Sequence, residues 1–236
     1  NDELAAECIT AAEELWQEER ELRRGIRDKV IAAAQLLKTT RKPVYRQFFL
    51  DNRKQIVEGI RWMASAVGGV LPLLNDSAFA EEVRSAVKAQ FAQVEQQQKE
   101  NPFGVPYRPH IWGAGWGIQQ FGVDQYFLHK AFPDIVKPDY MLNALNFVLG
   151  VHPGRNTASF ASGVGARSMT AAYGVNRADW SYIPGGVVSG TALIRPDFPE
   201  LKEFPYLWQQ AEYVVGGGAS NFMFLVLAAD NLLNAK

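Results

Sequence analysis

With 24 basic against 25 acidic side chains in 236 residues, the chain has no positive surplus with which to hold a phosphate backbone, so nucleic acid is not an expected partner. Hydrophobic residues make up 47% of it, enough for a core of ordinary domain size, and the single cysteine excludes a disulfide framework.

From Asp2 to about Leu37, apolar residues recur every three or four positions through Leu4, Cys8, Ala11, Leu15, Leu22, Ile26, Val30, Ala33 and Leu37. This predicts one long helix, or two meeting near Gly25. The other face, with Glu13, Glu14, Glu18, Glu19, Arg20, Glu21, Arg23 and Arg24, reads as a solvated helix surface. Cys8 lies on the apolar stripe beside Ile9 and is expected to be a buried thiol, not a nucleophile. The sequence opens directly on this amphipathic stretch, with no basic segment, apolar segment or cleavage site, so any signal peptide is expected upstream.

After a break containing Pro43, a second helix is predicted from about Asp51 to Val67 through Ile56, Val57, Ile60 and Met63, stopping at Gly68-Gly69. A turn at Pro72 to Asp76 follows. Asp76 or Ser77 then caps a helix carrying Phe79, Val83, Val87, Phe91 and Val94, which leaves through the polar run 96–101. Residues 101–116 hold Pro102, Pro106 and Pro109, Gly104, Gly113 and Gly115, and Trp112 and Trp116, so they form an aromatic loop instead of continuing the helix.

Helical patterns return at about 117–131 and 138–150. From Val151 to about Glu203 the chain has little helical periodicity and is rich in Gly, Ser, Pro and aromatic residues. A stretch of that length inside a compact domain is expected to be functional, and its aromatic content argues for order. The chain closes with a helix at about 205–215, an interruption at Gly216-Gly217-Gly218, and an apolar helix through Phe222, Leu225 and Leu232. The apolar run 222–229 falls far short of the roughly 20 residues that cross a bilayer, so no membrane partner is expected. With no convincing strand alternation, the class is all-α, built of antiparallel helical hairpins with long loops.

The order of segments in the second half resembles a known family. The loop 101–116, the segment 142–165, the segment 181–190 and the segment 212–230 are similar to successive C-terminal segments of glycoside hydrolase family 9. Leu149-Gly150-Val151-His152-Pro153 resembles the family's Leu-Gly-x-Asn-Pro motif. Phe160 to Gly165 resembles its Tyr-Val-x-Gly-x-Gly loop, and Pro184 to Gly190 its Pro-Gly-Ala-Leu-Val-Gly-Gly segment. The likeness is good from about residue 101 to 234 and only a matter of pattern before that. It implies part of an (α/α)6 toroid, so residues 1–236 are read as a single, partial toroid domain. It also implies β-linked glucans or related polysaccharides or oligosaccharides as partners, hydrolysis with inversion as the reaction, and a secreted or periplasmic location.

Two departures bear on activity. Inversion needs a carboxylic acid for the leaving oxygen and a carboxylate base about 6.5–9.5 Å away. The family's acid is the Glu of an Asn-Glu-Val-Ala segment before the last helix. Here Gly217 stands in its place, and the family's Asp-Ala-Gly-Asp base segment is absent from the sequence. About seven predicted helices fall short of twelve, so an upstream half of the same toroid or a partner chain is expected to cover the end helices.

The remaining candidates follow from residue chemistry. Asp179, beside Trp180, and Glu212, ahead of the glycines, are the candidate catalytic carboxylates, since a carboxyl packed on an indole has its pKa raised by desolvation. The plain alternatives are a loop carboxylate capping amides for Asp179 and a helix-surface charge for Glu212. His110, Trp112, Trp116, His152, Arg155, Arg177, Trp180 and Tyr182 are the candidate sugar-binding residues. Arg155, Arg167 and Arg177 offer forked donors suited to a uronate or sulfate. His129 reads as an ordinary helix histidine. No histidine or cysteine spacing indicates a metal site, and the glycine-rich segments 113–117, 163–165 and 216–218 lack the strand and helix context of a phosphate cradle, so no cofactor is expected. The rival reading is a non-catalytic glycan-binding or scaffolding relative that has lost its acid and base.

Overall fold

Helices dominate the computed structural model, which describes residues 1–18, 25–99, 104–106, 115–151, 158–165, 167–168, 184–187 and 217–234. Among them are α1 (Asp2–Glu18), α2 (Ile26–Thr40), α3 (Pro43–Asp51), α4 (Arg53–Glu58), α5 (Ile60–Gly68), α6 (Leu71–Leu74), α7 (Ser77–Lys99), α8 (Gly115–Ala131), α9 (Asp139–Val148) and α10 (Gly217–Asn234). Strands β1 (Ala158–Ser159) and β2 (Arg167–Ser168) pair in parallel, Ala158 with Arg167 and Ser159 with Ser168. The all-α expectation holds, with that short pair added.

Several boundaries differ from the sequence reading for local reasons. Pro43 opens α3 instead of breaking a helix, because a proline in the first turn lacks only an N–H that has no helical partner there. Pro72 does the same in the single turn α6, where a plain turn was expected. The helix expected over 51–67 is divided at Asn52 and Gly59. Asp76, of the two capping candidates, holds the start of α7: its Oδ1 accepts from the Phe79 amide at 2.8 Å.

The helices fall into two compact units, residues 1–91 with 127–135 and residues 92–126 with 136–236. In the first, α2 packs on α3 and α5, burying Val30, Ala33, Leu37, Phe49, Ile60, Met63 and Val67. Gly68 passes close to the backbone of Phe127: a Cβ there would come within 2.9 Å of its carbonyl oxygen. Helix α1 is held differently. Only Ile9, Glu13 and Trp16 of its residues are partly covered. The Trp16 ring meets Tyr45 and Phe48 edge-on, and Lys29 Nζ lies 4.1 Å from its centroid. Glu13 accepts from Lys42 at 2.6 Å and from the Tyr45 hydroxyl at 2.8 Å. The rest of α1 lies outside this contact, so Leu4 and Leu15 are exposed. Cys8 is exposed as well, against the expectation of a buried thiol.

In the second unit, α10 packs along α9, and Met141, Leu145, Leu225, Ala228 and Ala229 form a core flanked by Val123, Tyr126, Leu142, Phe222, Phe224 and Leu232. Gly122 of α8 admits both neighbours. A Cβ there would lie 2.7 Å from Ala144 Cβ and 2.9 Å from Leu225 Cδ2. Trp116 lies against Gly218 and Gly122 against Leu225, so α8 and α10 run parallel and begin at the same end. Tyr126 and Phe224 meet edge-on, their centroids 5.4 Å apart. Among the described residues no helix is long and apolar enough to cross a membrane.

The α1 contact makes a pH prediction. Burial first, then the hydrogen bond and charge of Glu13, push the Tyr45 phenol up to about 12. Hydrogen bonds from Lys42 and Tyr45, larger than the opposing desolvation, hold Glu13 below the usual carboxylate range. Tyr45 therefore contributes stability that is full below its ordinary pKa of about 10 and lost as pH rises through about 12. Glu13 contributes above the ordinary carboxylate pKa and loses its contribution as pH falls through its depressed value. Titration of tyrosinate absorbance should show one phenol ionising near pH 12 that Tyr45→Phe removes; ionisation of every tyrosine near pH 10 would count against the contact.

Candidate functional site

Glycine-rich segments gather where α8 and α10 begin and α9 ends. Helix α9 closes in a left-handed Gly150, φ 88. The Val151 amide donates to Asn146 O at 2.9 Å and the Gly150 amide to Phe147 O at 3.3 Å, which together make a Schellman cap. The family-like Leu149-Gly150-Val151 is thus a device that fixes how the chain leaves the helix.

The 158–165 segment folds back onto that helix end. The Phe160 amide donates to Val148 O at 2.8 Å, and the Phe160 ring lies 5.4 Å from that of Phe147. Ser159, fully buried, donates through Oγ to Ala161 O at 2.8 Å and accepts the Ala161 amide at 3.2 Å. Gly165, φ +77, crosses directly over α9's exit: a Cβ there would lie 2.5 Å from Leu149 O. Only glycine fits that approach. The 184–187 segment joins through an antiparallel bridge between Ala161 and Val187, with the Ser162 amide donating to Gly186 O at 2.9 Å and the Gly185 amide to Ser162 O at 3.1 Å.

These segments end against α10. A Cβ on Gly218 would lie 3.0 Å from Trp116 Nε1, 3.2 Å from Trp116 Cδ1 and 3.5 Å from Val187 Cγ1. The indole edge therefore occupies the space a side chain at Gly218 would take. Trp116 Nε1 is buried and has no hydrogen-bond partner among the described residues. One turn along α8, Gln119 is 1% exposed, and neither its Nε2 nor its Oε1 has such a partner. Its neighbour Gln120 is satisfied, with Asp124 and Asn221 at 3.3 and 3.4 Å.

Of the expected site residues, the described structure places Trp116, at the point where these segments converge. Asp179, Glu212, His110, Trp112, His152, Arg155, Arg177, Trp180 and Tyr182 lie outside the described residues. Arg167 contributes backbone to β2, and His129 lies partly buried on α8. Gly217, where the resemblance puts a catalytic Glu, is the first residue of α10. Sequence reasoning missed Gln119. In the pair Gln119-Gln120 nothing but helical phase distinguishes the inward residue from the outward one. Among the described residues no group of His, Cys, Asp and Glu is placed to hold a metal ion.

Solved structures share this arrangement of helices. A family 9 endoglucanase, J30, matches with a TM-score of 0.59 at 20% identity, over 87% of this chain and 42% of its own. Its zinc-binding triple mutant matches at 0.58 and 19%, over 87% and 42%. A metagenome-derived family 9 endoglucanase matches at 0.58 and 18%, over 88% and 40%. The chain has the fold of part of a family 9 (α/α)6 toroid. It spans about two fifths of the length of these structures, which fits the C-terminal part of that domain. No family model matches the chain, and no curated protein matches it.

Two of the left-handed glycines gathered here, Gly165 and Gly185, should respond differently to a methyl group. Gly165→Ala meets both an unfavourable φ and the Leu149 carbonyl, whereas Gly185, φ +70, has nothing within 4 Å of its Cβ position. Gly185→Ala should cost the left-handed penalty alone, about 1–2 kcal/mol, and Gly165→Ala distinctly more. Denaturant melts giving equal losses for the two would contradict the close crossing of the loop over α9.

Proposed function

We propose that the chain is a carbohydrate-active relative of the family 9 endoglucanases that binds a polysaccharide or oligosaccharide where α8 and α10 begin. One observation carries this reading: the edge of Trp116, the 160–165 turn, Val187 and the bare backbone of Gly218 meet at one place. The face of this half-buried indole gives a pyranose an apolar surface on which to stack. His110, Trp112, His152, Arg155, Arg177, Trp180 and Tyr182 are the proposed companions of Trp116. The same reading takes residues 1–236 as one partial toroid domain of a secreted or periplasmic protein.

Hydrolysis on this reading draws its acid from Asp179 or Glu212, the carboxylates proposed to stand in for the one that Gly217 does not supply. A second reading, a glycan-binding or scaffolding relative without catalysis, is favoured by a specific feature: α10 opens with Gly217-Gly218, neither of which carries a proton. Since the solved neighbours are endoglucanases, β-glucans head the panel for a sugar-release assay. The catalytic reading expects release that Asp179→Asn or Glu212→Gln lowers at least a hundredfold, with binding retained. Binding without release supports the second reading. Absence of both, in folded protein, ends the carbohydrate proposal.

The partner follows from α10. Its inner face is buried at Leu225, Ala228 and Ala229, yet Met223, Val226, Leu227 and Leu233 are exposed on the other side, Leu227 by 68%. We propose that further hairpins of the same toroid cover this face, in keeping with the two-fifths of the relatives' length that the chain spans. The chain by itself should bind an apolar dye or self-associate, and Leu227→Glu should reduce that severalfold; an unchanged response would mean the face needs no cover.

A further inference from the structure

Buried amides in native proteins are paired, and a side chain whose donor and acceptor both lack partners calls for a physical account. Among the described residues Gln119 is such a side chain, and Trp116 Nε1, one turn away, is a second buried polar atom without a partner there. Their positions on α8 are fixed by neighbours. Trp116 touches Gly218, and Gly122 touches Leu225. Gln119 stands three residues from each, about 60° round the helix from both, so it faces α10 between those two contacts. Side chains on a helix lean toward its N-terminus, which carries the Gln119 amide toward the level of the Trp116 ring. That is also the level of α10's first turn, because the two helices run parallel.

The chemistry of the place is unbalanced toward donors. The indole supplies one N–H, the glutamine amide two, and the leading amides of a helix point outward with the positive end of the macrodipole. Gln119 Oε1 is the acceptor set against them. A neutral hydroxyl offers two acceptor positions and spends its third on a donor of its own, whereas a carboxylate only accepts, at two oxygens with about four lone-pair positions. Gly218 carries no side chain, so Trp116 Nε1 comes up against the first turn of α10, 3.0 Å from where a Gly218 Cβ would stand.

We propose that Trp116 and Gln119, with the first turn of α10, form a subsite for a carboxylate carried by the bound sugar, so that the ligand is an acidic glycan bearing uronate units. This deepens the carbohydrate reading above and rests on it. In the complex, Trp116 Nε1 and Gln119 Nε2 donate to the carboxylate, and Gln119 Oε1 accepts from a hydroxyl of the same sugar.

The test uses the full chain and three probes: a glucuronate-bearing oligosaccharide, a neutral glucose oligosaccharide of equal length, and acetate. The readouts are affinity by calorimetry and the indole N–H proton resonance of Trp116, assigned through its loss in Trp116→Phe. The acidic oligosaccharide should bind at least tenfold more tightly than the neutral one and move the Trp116 resonance downfield. Gln119→Met, close in volume, should remove that preference while leaving the melting temperature equal or higher, since it removes an unpaired buried amide. Equal binding of both oligosaccharides overturns the carboxylate subsite and leaves glycan binding standing. A shift produced by acetate, with no binding of either sugar, supports the subsite's chemistry and overturns the carbohydrate reading. If no probe moves the resonance, with an ordered water the only group detected beside it, the subsite itself is overturned. A Gln119→Met variant that fails to fold leaves the decision with the indole resonance of the unaltered protein.

Discussion

The missing side chain of Gly122 sets the geometry on which this end of the protein depends. Ala144 of α9 and Leu225 of α10 both sit where its Cβ would be, so three helices meet at a spacing that even one methyl group would widen. Interiors are packed too closely to absorb such a change without displacement. The contact also fixes register: with Gly122 against Leu225, Trp116 falls against Gly218 one and two-thirds turns earlier. The place where the indole, the loops and the helix start converge is thus set by a packing contact deeper in the same unit, with the Asn221–Gln120 and Tyr126–Asn231 hydrogen bonds joining α8 and α10 in the same register.

Among the described residues, the loops are held to that frame mainly by backbone hydrogen bonds. Gly150 turns the chain out of α9, Gly165 brings it back across Leu149 O, and the Ala161–Val187 bridge adds the next segment. Each link needs a glycine or a short residue. This explains why the segments that resemble the family are glycine-rich, and why the likeness persists in their order although identity to the solved structures is only 18–20%. Backbone paths survive substitutions that side-chain chemistry does not. For the same reason the shared fold leaves the reaction open: the two residues at the head of α10 are glycines, and chemistry follows from the side chains of a site and not from its fold.

Much of the fold was legible in the sequence because it rests on periodicity. The helices α2, α7, α8 and α9 follow apolar spacing, and Asp76 caps α7 as a short polar residue before such a run should. Misreadings occurred where one local signal had two meanings. Pro43 reads as a break and Pro72 as the start of a turn, yet both lie in the first turn of a helix, since sequence alone does not show which side of a proline the helix lies on. Leu4, Cys8 and Leu15 have helical spacing, but spacing marks a face and not what covers it. At the site, Trp116 was legible as an aromatic residue among glycines. Gln119 was not, because a polar residue turned inward looks, in sequence, like one turned outward. The order of glycine-rich segments pointed to the end of the helices where those segments gather, while the catalytic candidates Asp179 and Glu212 belong to parts of the chain outside the described residues.

Helix α1 is attached in a way that sets it apart from the other helices of its unit. Seventeen residues hang on the Trp16 ring, the Glu13 carboxylate and the flank of Ile9, with no buried residue among them. Little apolar area is released to water when such an element lifts away, so its opening free energy lies near the bottom of the range a folded protein spans. Amide protons ahead of Glu13 should then trade with solvent deuterium almost as fast as those of a free peptide helix, while those of α2 beneath exchange only when the whole unit opens. A protease probing the folded chain would find its first foothold there.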